Sequence, residues 1–430
     1  MCKKALLAFL LILPLLSACG GNAHKNGNTL SDRRIPELIC AVPSDALAVV
    51  CYDRCEDGLA LYDSTSVLHK LDLTAFRHAA MALSLCYNGS LVPVLALDAG
   101  RTEASDSASA VSGLLAQAAT LRLQAEYVRP DPEAKRRGFI VITPSNAQLT
   151  AVRRHLTEYT SILDAPGFTR ALAAAPGGNF VIFRNGGAER LMPKGWLQDC
   201  FPRRELSPFL GSVAEWTVLT PEAGGFAVTP VCSDSDSFYA NILAAMPLSE
   251  SRLGALLPEQ VRLALALPVS GQSTRDAVER WQDASVKLTQ YHRQLDALKR
   301  ESGKDPLKWE KELDIREVAL VHFDGDAVTL VRPGKAVPDR KPEANPWTGF
   351  LPVLYGGAFA LPDDSFSASL GGWNIYGSEA AVQAFLDAPR PEEGELLAWP
   401  GKSCRFILYD STKTLAWGKK GIQLIWNSNL

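Results

Sequence analysis

Apolar residues along this chain recur with two periods. Short runs rich in Val, Ile, Phe and Tyr alternate with stretches in which apolar residues return every three or four positions. The first pattern predicts strands and the second helices. After a turn at Val42-Pro43-Ser44-Asp45, Ala46 to Tyr52 reads as a strand. Asp72 is placed to cap a helix running from Thr74 to about Tyr87. Leu91 to Leu97 reads as a strand, in which Pro93 marks an edge or an end. Ser105 to Gln124 is rich in Ala and Leu and predicts a helix, and residues 129–137 a charged loop. Phe139 to Thr143 is a strand. Ser145 then opens a helix to about Tyr159, with Gln148 completing a capping box. A short helix near Phe168 to Ala174 and a strand Phe180 to Phe183 follow. Trp216–Leu219 and Phe226–Val231 flank a turn as a hairpin, and Phe238 to Ala245 is a helix.

The second half repeats the style. Val261 to Leu267 is an apolar strand, and Ser273 to Ser302 reads as the longest helix. Its stripe of Ala277, Trp281, Ala284, Leu288, Tyr291, Leu295 and Leu298 fits either a coiled-coil seam for a partner or a helix lying across its own sheet. Glu317–Phe323 and Asp326–Val331 flank Asp324-Gly325, a hairpin signal because Asp-Gly accepts the positive φ of a tight turn. Phe366 to Tyr376 reads as a strand, and Ser378 caps a helix to Leu386. Phe406–Tyr409, Thr414–Trp417 and Ile422–Trp426 predict a closing antiparallel meander.

The halves match in order. Ile140-Val141-Ile142-Thr143-Pro144-Ser145 and Trp373-Asn374-Ile375-Tyr376-Gly377-Ser378 are both strand, turn and capped helix, each followed later by an aromatic strand. The expected fold class is α+β. Two related halves, residues 35–247 and 248–430, would each carry a mixed or antiparallel sheet covered by helices, the second as a duplicate of the first.

The first residues belong to neither half. Lys3 and Lys4 precede an apolar run, Ala5 to Leu16, and then Leu16-Ser17-Ala18-Cys19. A basic start, a short apolar core and small residues before a cysteine make a lipoprotein signal peptide over residues 1–18. Cleavage would leave Cys19 at the N-terminus with diacylglycerol on its sulfur. The run is shorter than the ~20 apolar residues that span a bilayer. Residues 19–34 are the lipidated cysteine and a polar tether. Gly20, rather than Asp, favours the outer membrane, and the lack of an acidic run after Cys19 favours a periplasm-facing body over a surface-exposed one.

A formal net charge of −3 over 430 residues gives no electrostatic case for nucleic acid. Of nine cysteines, Cys2 leaves with the signal and Cys19 is lipidated. The rest mostly sit in apolar runs and read as buried thiols. Cys51 and Cys55 are spaced for a local bridge or half a metal site, but no second pair completes one, so no metal or other cofactor is expected.

Catalytic patterns are missing. Ser145 and Ser378 sit on strand-to-helix turns without the flanking glycines of a hydrolase elbow, and helix capping accounts for both. Gly401-Lys402-Ser403 lacks the upstream glycine of a phosphate loop. Ser233-Asp234-Ser235-Asp236-Ser237 lacks the turn glycine and distal Glu of a calcium loop. The six histidines, 24, 69, 78, 155, 292 and 322, include no helical metal pair. Cys55 or Cys200 at a loop is a candidate thiol nucleophile only with a histidine partner. Six aromatics, Trp347, Tyr355, Trp373, Tyr376, Trp417 and Trp426, fall near the C-terminus, and Trp373 and Trp417 are candidate ligand-stacking residues.

After Ala151-Val152-Arg153-Arg154-His155-Leu156, the chain continues Ser161-Ile162-Leu163-Asp164, Gly167-Phe168. With the lipoprotein tether and the proline-initiated first strand, this resembles a group of Bacteroidales-type envelope lipoproteins catalogued as domains of unknown function. The resemblance implies export and lipidation, and assigns no activity and no site residues.

The expected function is therefore a non-enzymatic binding or scaffold role at the envelope membrane, with a protein partner. Binding of a glycan or lipophilic ligand through the C-terminal aromatics is the alternative, and an envelope hydrolase a third reading.

Overall fold

A computed structural model describes residues 38–52, 55, 70–85, 89–99, 105–129, 138–158, 160–175, 178–191, 210–232, 237–391, 399–400, 403–410 and 413–426. Cys19, the tether, the 130–137 part of the charged loop and most of the Ser233–Ser237 run lie outside them. The chain divides into two units, Met1–Ser233 and Asp234–Leu430. The boundary falls ahead of the expected 247/248, so the helix at 239–245 belongs to the second unit.

The strands of the first unit are β1 (Ala46–Tyr52), β2 (Ala79–Leu85), β3 (Leu91–Asp98), β4 (Gln124–Val128), β5 (Phe139–Thr143), β6 (Phe180–Arg184), β7 (Trp216–Glu222) and β8 (Gly225–Val231). They pair in the order β4-β5-β3-β2-β1-β6-β7-β8, antiparallel throughout. Helices α1 (Ser105–Thr120), α2 (Asn146–Thr157) and α3 (Phe168–Ala174) complete it. One face of the sheet, with Val49, Ala82, Ala96, Val141 and Ile182, packs on Leu149 and Val152 of α2 and Phe168 of α3. The central strands β1 and β5 are buried along their whole length, which is why they read as unbroken apolar runs.

Three expectations change here. The helix expected from Thr74 is strand β2. Ala79-Ala-Met-Ala-Leu-Ser-Leu favours helix locally, but its place between β1 and β3 overrides that preference. Asp72 instead closes a turn, accepting from the Thr74 N–H (3.1 Å) and hydroxyl (2.6 Å). The helix expected to reach Gln124 ends at Thr120 and gives way to β4. Pro93 stands at an end: it opposes Leu83, while β5 pairs with β3 only from Leu95 onward, so its missing N–H falls outside that ladder. Ser145 caps α2 through the Gln148 N–H, but the Gln148 amide reaches Leu85 O (3.3 Å) on β2 rather than closing the box. The capping box forms instead at Ser161 and Asp164.

The second unit has β9 (Val261–Pro268), β10 (Glu317–Phe323), β11 (Asp326–Arg332), β12 (Arg340–Ala344), β13 (Phe366–Leu370), β14 (Trp373–Gly377), β15 (Cys404–Asp410), β16 (Lys413–Gly418) and β17 (Gly421–Trp426). These pair antiparallel in the order β12-β13-β14-β11-β10-β9-β15-β16-β17. With β12 set aside, this is the strand order of the first unit.

Helices α4 (Tyr239–Ala245), α5 (Gly271–Ala284), α6 (Leu288–Ser302), α7 (Pro306–Leu313) and α8 (Phe350–Tyr355) contribute to a core on one face of the sheet. Helix α9 (Glu379–Asp387) packs into the core on the other face. The long helix expected over 273–302 is two helices, broken at Val286, whose φ of 58° is left-handed. Its stripe nevertheless faces this unit's own core, with Ala277, Tyr291 and Leu295 buried, so it is not a free partner seam. The strand expected over 366–376 is a hairpin turning at Gly371 and Gly372, both at positive φ. The Asp324-Gly325 hairpin and the closing meander form as read.

Candidate functional site

The expected ligand-stacking residues are not displayed together. Trp373 is 3% exposed and sits in the second unit's core, with the Arg332 guanidinium 5.9 Å from its ring centre. Trp417 is half-buried against the helix-covered core, with Arg405 at 5.6 Å. Tyr355 and Tyr376 are buried, and Trp347 packs on Trp309 (5.7 Å) beneath the Lys304 ammonium. The C-terminal aromatics therefore contribute mainly to the cores that hold the unit together, and a sugar-stacking role for Trp373 has no exposed ring.

Two buried polar clusters in the second unit were not singled out by any sequence pattern. In the first, Arg275 of α5 donates to both carboxylate oxygens of Glu310 on α7, at 2.6 and 3.0 Å. Tyr355 of α8 donates to Glu310 Oε1 at 2.6 Å. Arg275 Nη1 also reaches the Tyr291 hydroxyl of α6 (2.5 Å) and Leu354 O (3.4 Å). Four helices are tied at one point, and the buried charges are opposed and hydrogen-bonded. Burial, with the Glu310 charge adding to it, holds the Tyr355 hydroxyl well above its ordinary range.

In the second cluster Glu317, at the start of β10, is fully buried. It accepts from Ser251 Oγ, from the Arg252 N–H (2.9 Å) and from Arg332 Nε (3.2 Å). Trp399 Nε1 donates to Ser251 Oγ at 3.1 Å. Burial pushes the Glu317 carboxyl up despite these donors. A serine held by a carboxylate has a nucleophile's partner. But Ser251 is 5% exposed and Glu317 is sealed, so this arrangement binds the 249–252 segment to the sheet rather than facing a substrate. Beside it, burial and the Glu317 charge push the Cys404 thiol to about 12, leaving it protonated and unreactive.

The remaining candidates are dispersed. Cys51 is a buried thiol within β1 and is not bridged to Cys55. His155 is bonded through Nδ1 to Thr160 Oγ1 (2.9 Å), and burial lowers His322 within β10. His24, His69 and Cys200 lie outside the described residues. Ser145 and Ser378 act as helix caps. Among the described residues no group of three or more His, Cys, Asp or Glu is placed to hold a metal ion, and no helix is long and apolar enough to cross a membrane. Comparison with protein families, curated proteins and solved structures finds no match to this chain.

Proposed function

We propose that this is a lipid-anchored cell-envelope protein, processed before Cys19 and held at the outer membrane, with its body facing the periplasm. Its role is to bind or scaffold a protein partner without catalysis. The observation that carries the reading is Leu16-Ser17-Ala18-Cys19 behind a basic, then apolar, N-terminus. The body adds support in one respect. Its best-developed polar clusters close on themselves and tie elements together, as in a rigid platform.

The reading includes a duplicated body. The support is the shared strand order of the two units and the Ser-capped helix that follows β5 in one and β14 in the other. Independent convergence on the same eight-strand order, with the same helix in the same place, is a weaker account.

The test is cross-linking in intact cells with the lipidated, C-terminally tagged protein. One dominant envelope protein should be recovered, and recovery should fall when Cys19→Ala removes the anchor. Recovery of no envelope protein above background contradicts the scaffold reading.

A further inference from the structure

Charge is unevenly placed along this chain. The whole sequence has a formal net charge of −3, yet residues 396–430 carry five basic side chains, Lys402, Arg405, Lys413, Lys419 and Lys420, against one acidic, Asp410. Asp410 is taken up by Lys413 at 3.2 Å, where β15 gives way to β16. The surplus among the described residues therefore falls at the other end of these strands, where β16 turns into β17.

That turn is Lys419-Lys420, closed by the opposed pair Gly418 and Gly421. Gly421, at φ 107°, supplies the positive φ of the connection, so the turn needs neither lysine for its shape. Both lysines are exposed, and among the described residues neither ammonium has an ion-pair or hydrogen-bond partner. Arg405 stands nearby, at the irregularity between Cys404 opposite Gly418 and Phe406 opposite Trp417. It is engaged by Met246 O (2.7 Å) and by the Trp417 ring. Directly behind the lysines Trp417 opposes Ile422, both half-buried. A cationic apex on a Trp and Ile base suits a bilayer interface, where ammonium groups reach phosphates and an indole sits at headgroup level.

We infer that the Lys419-Lys420 tip rests on anionic phospholipid headgroups of the membrane that holds the chain. Charge and reach both select this occupant. The chain from Cys19 to Leu38 extends to at most about 65 Å, so a body anchored at Cys19 stays beside the bilayer. The contact is then intramolecular, and two lysines suffice for an attraction too weak to recruit a free protein. This inference rests on the envelope reading, and it says which part of the body turns to the membrane.

The test uses the lipidated full chain in vesicles of phosphatidylcholine, with and without phosphatidylglycerol. Backbone amide exchange around the turn should slow on the anionic vesicles, stay fast on the neutral ones, and recover in high salt. Lys419→Gln with Lys420→Gln should weaken the contact about 30-fold and abolish the slowing, with the thermal melt unchanged. Equal exchange on both vesicles, or slowing that survives in the variant, overturns the inference. So does slowing by inorganic phosphate without vesicles, which marks a free-phosphate site. Slowing seen in whole envelope membranes but not in vesicles assigns the tip to a protein partner and overturns it too. A chain that stays with both vesicles while its tip exchanges alike removes this contact and leaves the anchor standing. A chain held only by the anionic vesicles, and lost from them in the variant, keeps the contact and removes the anchor.

Discussion

Arg275 and Glu310 meet in two parallel hydrogen bonds, 2.6 and 3.0 Å long, between helices α5 and α7, with their side chains only 7% and 10% exposed. The paired fork neutralises a carboxylate that Tyr355 also engages, and it joins elements separated by dozens of residues. A planar guanidinium makes this geometry, and an ammonium does not.

Arg275→Met should therefore lower stability by about 3–5 kcal/mol, because it leaves Glu310 buried without its cation. Arg275→Met combined with Glu310→Leu should recover most of that loss. Denaturant unfolding followed by tryptophan fluorescence measures both. Equal losses in the single and double variants would show that the pair is not the origin of the effect.

Val286 joins α5 to α6 in a left-handed conformation and is 93% exposed. A β-branched residue there is strained by roughly 1–2 kcal/mol and gains no burial in return. Val286→Gly should raise stability by up to about 1 kcal/mol, the gain being reduced by the greater freedom of glycine in the unfolded chain. A thermal melt that moves downward would mean that this elbow is held by contacts of Val286 itself.

The ladder of strands was largely readable because most are apolar on both faces or alternate cleanly, and because Asp324-Gly325 and Ser378 carry local turn and cap chemistry. The failures have physical causes. The Ala- and Leu-rich β2 favours helix locally, and only its neighbours in the sheet make it a strand. The α5–α6 break is invisible because both helices show the same stripe to the same core, and Val286 is not a residue that announces a left-handed turn. Arg275, Glu310 and Glu317 each sit in ordinary polar surroundings along the chain, and only folding brings their partners, 15 to 79 positions away, within reach. Trp373 misled for a related reason: a tryptophan in a sheet looks the same in sequence whether it faces a ligand or a core.

Glu317 supplies a pH signature. Burial raises its folded-state value above the ordinary 4.5. The stability gained from its protonation is complete below 4.5 and is lost as pH rises through the raised value. Unfolding free energy should accordingly fall with rising pH across that window, and Glu317→Gln, which cannot ionise, should flatten the fall. Parallel slopes in the two proteins would contradict the assignment.

The most direct test of the account is labelling with radioactive palmitate in cells expressing the parent chain and Cys19→Ala, followed by membrane fractionation. The account predicts label and outer-membrane recovery for the parent. For the variant it predicts no label, an uncleaved precursor and loss from that fraction. Unchanged processing and membrane recovery in the variant would contradict the lipid anchor, and with it the envelope platform built on it.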